Sequence, residues 1–189
     1  MARASLERRR QALVAVGTSW REPSHEAREK AVEDTLRQSG WLTAEALAFT
    51  LNQRMHQLSN KRLKRWSGQL PHASAPGTVA VLSSDDIPLA DWFAVVVALL
   101  SGHSVRYGLA ESHRPLVSSL AKALNSHLGE RLLDVTTEEK AIDTADALIA
   151  PHHPEADRLV EKATERGIPA ACQYVTAPAS SVAVLDASA

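Results

Sequence analysis

Thr78-Val79-Ala80-Val81-Leu82-Ser83-Ser84-Asp85-Asp86-Ile87-Pro88-Leu89 is the stretch on which the fold turns. Its opening, TVAVL, is a short β-branched apolar run with no polar alternation, the pattern of a strand buried on both faces. Four polar residues follow. Pro88, whose fixed φ suits a first helical turn, then opens a helix from about Leu89 to Leu100. Gly102 stops that helix, and Ser104 to Leu109 (SVRYGL) makes a second strand. A strand, a helix and another strand in immediate succession predict a parallel pair with a helical crossover.

The alternation continues downstream. Pro115 sits in the first turn of a helix reaching about His127. Arg131 to Val135 is a weaker strand and Asp146 to Ala150 (DALIA) a better one. Pro154 to Arg166 reads as a helix closed by Gly167, and Ile168 to Val175 and Ser181 to Leu185 (SVAVL) as the last strands. The fold class is α/β, a Rossmann-like doubly wound parallel sheet.

Upstream the texture is helical. Ala4 to Val16 carries Leu6, Leu13 and Val16 as apolar positions. Ser24 is placed to cap a helix running to Gln38, with Glu26 and Glu29 favouring its positive end and Gly40 supplying a left-handed stop. Thr43 caps the next helix, where Leu47, Leu51, Met55 and Leu58 recur at helical spacing. Lys61-Arg62-Leu63-Lys64-Arg65-Trp66 reads as a solvated helix face. Gln69 to Gly77 (QLPHASAPG) is a connector. The organisation is therefore an N-terminal helical segment, 1–70, packing on a Rossmann-like domain, 71–189.

Composition narrows the function classes. The 189 residues are 44% hydrophobic with a formal net charge of −1, enough apolar material for a core and no basic excess of the kind nucleic-acid binders carry. Trp66 is the one aromatic in the basic stretch, too few for a stacking surface. The single cysteine, Cys172, excludes an internal disulfide and any two-thiolate metal site, and reads as a buried core thiol. Met1 to Arg10 is charged and leads into no apolar run, and Trp92 to Leu100 is too short to span a bilayer, so a cytoplasmic protein without signal peptide or membrane span is expected. His152-His153 is poor metal geometry, because adjacent residues rarely face one centre, and no metal is expected.

The loop after the first strand is where doubly wound sheets bind ligands. Read from the residues alone, it is a helix start with Asp86 near the N-terminus and Pro88 at the first position. No GxGxxG and no P-loop is present.

Several pieces together resemble a known family. The first strand, the Ile87-Pro88-Leu89 turn and the Leu99-Leu100-Ser101-Gly102-His103 stretch look like the acyl-CoA reductases related to the bioluminescence fatty-acid reductase, within the aldehyde dehydrogenase superfamily. Gly40-Trp41-Leu42-Thr43 resembles their upstream helix start, Asp146–Ala150 their fourth strand, and Ser181-Val182-Ala183-Val184-Leu185 their SVAVL strand. The resemblance covers roughly residues 36 to 186.

The resemblance implies a protein in which a cysteine thiolate attacks an acyl-CoA thioester and NADP or NAD then delivers hydride to give an aldehyde. The family's cysteine lies beyond the SVAVL strand, so no catalytic residue is assigned here. The cofactor positions implied are Ser84, Asp85, Asp86, Ile87 and Pro88 after the first strand, Gly108 at the end of the second, and Pro151 and His152 after the fourth. Three depart from the family. Asp86 stands where an asparagine amide donates to the oxyanion, and a carboxylate only accepts. Gly108 stands where a lysine reaches the adenosine ribose. Pro151-His152 replaces a Gly-Ser pair, and proline lacks an N–H. NADP or NAD is therefore expected to bind weakly or not at all, and where binding occurs Gly108→Lys is expected to strengthen it, most of all for the phosphorylated cofactor.

Two readings follow. The chain is a truncated or diverged acyl-CoA reductase-like protein lacking the catalytic cysteine domain. Alternatively, it is a non-enzymatic interaction or regulatory module on a degenerate dinucleotide fold. Either expects a partner, a catalytic-domain chain or a second copy of this chain, and neither expects nucleic acid; a nucleic-acid binder through Met1–Arg10 and Lys61–Arg65 ranks third behind them.

Overall fold

A computed structural model describes residues 4–70, 73, 76–83 and 88–177. Five strands form one all-parallel sheet: β1 (Thr78–Leu82), β2 (Ser104–Gly108), β3 (Leu133–Thr136), β4 (Ala147–Ala150) and β5 (Gln173–Val175), in the order β3-β2-β1-β4-β5. The chain winds outward from β1 in one direction through β2 and β3, then returns to β1's other side with β4. Val79 consequently pairs with both Val105 and Ala147. This is the doubly wound arrangement expected, with its switch point between β1 and β4.

Alternation along the central strand divides the core. Val79 and Val81 point to one face with Val105, Tyr107 and Leu133. They meet α5 (Trp92–Leu100) and α6 (Arg114–Leu128), whose apolar stripes include Val95, Leu99, Leu116 and Leu120. Ala80 and Leu82 point to the other face, against α7 (Glu138–Ile142) and α8 (Ala156–Glu165) through Ala141, Ile142, Leu159 and Ala163.

Four helices precede the sheet: α1 (Leu6–Ser19), α2 (Glu26–Gln38), α3 (Ala44–Gln57) and α4 (Asn60–Ser67). Leu13, Val16, Trp20, Leu47, Leu51 and Met55 are buried in the same cluster as the α5–α6 face. Polar groups fix this contact. The Arg9 guanidinium, 2% exposed, donates from Nη1 to the carbonyls of Leu99 (2.9 Å) and His103 (2.6 Å), closing the C-terminal end of α5. Thr35 Oγ1 accepts the Leu116 N–H at the start of α6 (3.1 Å). Buried Arg28 donates to the carbonyls of Trp20 and Arg21, and loss of hydration lowers its pKa.

Several boundaries differ from the sequence reading. The first helix begins at Leu6, capped by Ser5, and runs on to Ser19. His25, not Ser24, is the residue before α2. That helix ends at Ser39 in an extended conformation (φ −107°), and Gly40 supplies no left-handed stop. Pro88 does not start α5. Leu89 adopts φ +65° in a turn, and the helix begins at Trp92. β3 is shifted to Leu133–Thr136 because Asn125 holds the preceding loop, accepting from the Leu132 and Leu133 amides. α7 was not anticipated. β5 is confined to Gln173–Val175, since Pro169 and a 3-10 turn over Ala170–Cys172 break the run before it. That turn leaves Cys172 exposed rather than in the core. The predicted strand Ser181–Leu185 lies outside the described residues. No helix among the described residues is long and apolar enough to cross a membrane.

Candidate functional site

The crevice at the C-terminal ends of β2, β1 and β4 is the place where this topology binds ligands. Of the residues expected there, Ser84, Asp85, Asp86 and Ile87 lie outside the described residues. Gly108 ends β2, and Pro151 and His152 directly follow β4; Pro88 is a buried turn residue ahead of α5.

On the α5 side, the segment entering that helix is anchored from the N-terminal helices. Arg54 of α3 donates to the carbonyls of Leu89 (3.0 Å) and Ala90 (3.1 Å). Beneath it, Tyr107 on β2 is 1% exposed. Burial drives its phenol pKa above the ordinary value, and the nearby negative charge of Asp91 pushes the same way. The Ser83 N–H donates to the Gly108 carbonyl (2.9 Å), so the backbone leaving β1 is tied to the end of β2.

Gly108 has no room for a side chain. A Cβ there would lie 2.7 Å from Leu82 Cδ2, 2.8 Å from Glu138 Cα and 3.1 Å from Glu138 N. The start of α7 thus sits directly on the end of β2. A lysine at this position would first have to displace the Glu138 backbone, which works against the gain in cofactor binding expected from Gly108→Lys.

The turn after β4 is satisfied from within the chain. His152 adopts φ +55°, uncommon for a residue with a side chain. Its N–H donates to Thr176 Oγ1 (2.8 Å), and the His153 N–H donates to the Thr176 carbonyl (2.8 Å). Thr176 also donates its N–H to Ala150 (3.2 Å), extending the ladder just past β5. The His153 ring is 3% exposed; Nδ1 accepts the Glu155 N–H (3.2 Å), and Nε2 lies 3.4 Å from Glu138 Oε1. Glu138 stands at the end of β2 and His153 follows β4, so their contact crosses the end of β1.

These contacts test the fit of a dinucleotide. A pyrophosphate at a switch point needs free backbone amides, small residues and positive potential. Here Pro151 has no amide hydrogen, the amides of 152 and 153 are committed to Thr176, and that of Glu155 to His153. Glu138 and Asp157 bring negative charge, and Glu155 is paired with Arg158. The described residues do not fit an NAD(P) pyrophosphate. The sequence reading missed both Thr176 and Glu138, for which no motif gave a signal. Among the described residues no cluster of His, Cys, Asp and Glu is arranged to hold a metal ion.

No family model matches the sequence, and no curated protein matches it. Solved structures do match in fold. HpcC from Thermus thermophilus superposes with a TM-score of 0.66 at 13% identity, over 87% of this chain and 36% of that one. A probable aldehyde dehydrogenase from Listeria monocytogenes gives 0.59 at 11% identity, over 87% and 40%. Substrate-bound AldH from Staphylococcus aureus gives 0.52 at 12%, over 88% and 41%. The chain spans about 36–41% of the length of these structures. Over that length its fold is similar to that of these structures.

Proposed function

We propose that this chain is an acyl-CoA reductase-like protein of the aldehyde dehydrogenase superfamily, diverged so that its dinucleotide crevice no longer serves as a cofactor site. Taken alone it reduces no acyl-CoA and works as an interaction or regulatory module. The observation that carries the reading is the Thr176 contact. One threonine takes up two amides in the turn where a phosphate would need them. The jammed end of β2 and the Glu138–His153 contact across β1 point the same way. The family's cysteine chemistry finds no counterpart in Cys172. That thiol sits on an exposed turn before β5, away from the crevice formed by the other strand ends.

Calorimetric titration with NADPH and NADH tests this. Two lost charge-assisted hydrogen bonds cost about 3–6 kcal/mol, which moves a micromolar site to the millimolar range or weaker. No saturable heat is expected at cofactor concentrations of about 100 µM, a level that would fill a micromolar site. A dissociation constant in the low micromolar range would restore the enzyme reading.

A further inference from the structure

The charges of this chain are unevenly placed. Through residue 70 there are thirteen Lys and Arg against seven Asp and Glu; beyond it, eight against fifteen. From Ala46 to Ser84 there is no acidic residue at all. α4 lies in that interval and exposes Lys61, Arg62, Lys64 and Arg65 while burying Leu63 and Ser67.

Several cations elsewhere on the chain have local partners. Arg10 pairs with Glu7, Arg37 with Glu33 and Asp34, Arg114 with Glu111, Arg158 with Glu155, and Arg166 with Asp143. None of the four cations on α4 forms an ion pair among the described residues. Four positive charges on an eight-residue helix repel one another, and an external polyanion would relieve that repulsion.

The fold also gathers aromatic rings that are scattered in sequence. Phe93 of α5, 49% exposed, meets Trp66 edge-on with ring centroids 5.0 Å apart. On α3, Phe49 is 68% exposed. It lines an open depression of about 670 Å³ with Arg21, His56 and Arg62, and with the side-chain amides of Asn52, Gln53 and Gln57. Arg62 belongs both to this depression and to the basic face of α4.

We propose that the α3–α4 face binds single-stranded nucleic acid. Lys61, Arg62, Lys64 and Arg65 contact phosphates, and Phe49 and Phe93 offer ring faces to unpaired bases. Stacking rings beside a cationic track are the means by which proteins hold single strands. A duplex keeps its base faces covered and would gain from the charges alone. An acidic peptide would want an enclosed pocket for an apolar anchor, whereas Phe49 is the one large apolar liner of this depression. A lipid surface would dehydrate three amides there. Asn and Gln are instead suited to hydrogen-bonding base edges. Along the sequence only Trp66 accompanies the basic stretch, which ranks nucleic acid third there; the two phenylalanines come from α3 and α5.

Fluorescence anisotropy with labelled dT12, U12 and a 12-base-pair duplex tests the proposal, the first two separating DNA from RNA. Either single strand is expected to bind more tightly than the duplex. If four phosphates are engaged, affinity falls about fiftyfold between 50 and 200 mM salt. Phe49→Leu keeps apolar bulk but removes the ring, and should weaken binding about five- to a hundredfold. Lys64→Glu with Arg65→Glu should abolish it, with melting temperatures unchanged in both variants. The proposal is overturned by no binding at about 100 µM protein, where even non-specific contacts register. It is equally overturned by preference for the duplex, by an affinity that Phe49→Leu leaves unchanged, or by binding to phosphatidylserine vesicles or poly-glutamate without binding to oligonucleotides.

Discussion

Gly108 shows how one residue couples the sheet to the helix above it. Its missing side chain is what lets the Glu138 backbone rest on the end of β2, and no φ constraint is involved. Gly108→Ala forces a methyl group to within 2.8 Å of a backbone atom, which no rotamer change relieves. Overpacking of this kind costs about 1–3 kcal/mol, readable as a lower urea midpoint. An unchanged midpoint would mean that α7 shifts freely. Tyr107 makes a different prediction, in pH. Its folded pKa lies above the ordinary tyrosine value. Below about pH 10 the phenol is protonated in both states, and its contribution is fully present. At higher pH the unfolded chain releases a proton that the folded chain retains. Stability is therefore lost as pH rises through the folded value. Tyr107→Phe should flatten the fall in unfolding free energy between about pH 9 and 11. An equally steep fall in the variant would assign the loss to other groups.

Between elements, one polar tie joins α1 to α5. Arg9 supplies donors to carbonyls that the helix end leaves open, from a position that excludes water. Arg9→Met keeps the stem and removes the donors, and should cost about 2–3 kcal/mol, since hydrogen bonds from a charged group are lost. Urea unfolding monitored by the tryptophans would measure it, and a cost below about 0.5 kcal/mol would show that water replaces the guanidinium. No sequence pattern announces this contact, because Leu99 and His103 lie ninety and more residues away. The same limit governs what was legible elsewhere. TVAVL, SVRYGL and DALIA read as strands because a parallel sheet needs apolar runs, and their order gave the doubly wound class. α7 has five residues, too few to show a period; its cap is Thr137, which accepts the Lys140 N–H. The basic character of α4 was legible, whereas its aromatic neighbours are set by packing. In the crevice, the location followed from topology, but the reason Gly108 is glycine and the occupation of the amides by Thr176 are tertiary facts. Thr176 lies twenty-four residues from the amide of His152 that it engages.

For the molecule as a whole, the question is whether the helical segment is an attachment or part of one folding unit. The sequence suggests a boundary near residue 70, where composition changes and a Pro/Gly-rich connector begins. Burial argues for a single unit. Trp20, Leu47, Leu51 and Leu63 are fully buried, and they share one cluster with Val95, Leu99, Leu116 and Leu120 of the crossover helices. Remove α1–α4, and the outer faces of α5 and α6 lose their cover. Burying a leucine or valine side chain is worth about 1.5–3 kcal/mol, and a domain's net stability is about 5–15 kcal/mol. Re-exposing several such side chains at once therefore exceeds what the remaining sheet is able to offset. The Leu99 and His103 carbonyls and the Leu116 N–H would lose Arg9 and Thr35 as well. The expected outcome is that the full chain melts in one transition reported alike by far-UV circular dichroism and tryptophan fluorescence. A fragment of residues 71–189 should bind a hydrophobic dye and give a poorly dispersed amide spectrum, as compact states without fixed packing do. A cooperative melt and sharp, dispersed resonances from that fragment would establish two independent domains, and would make α1–α4 a separable carrier of the basic, aromatic face.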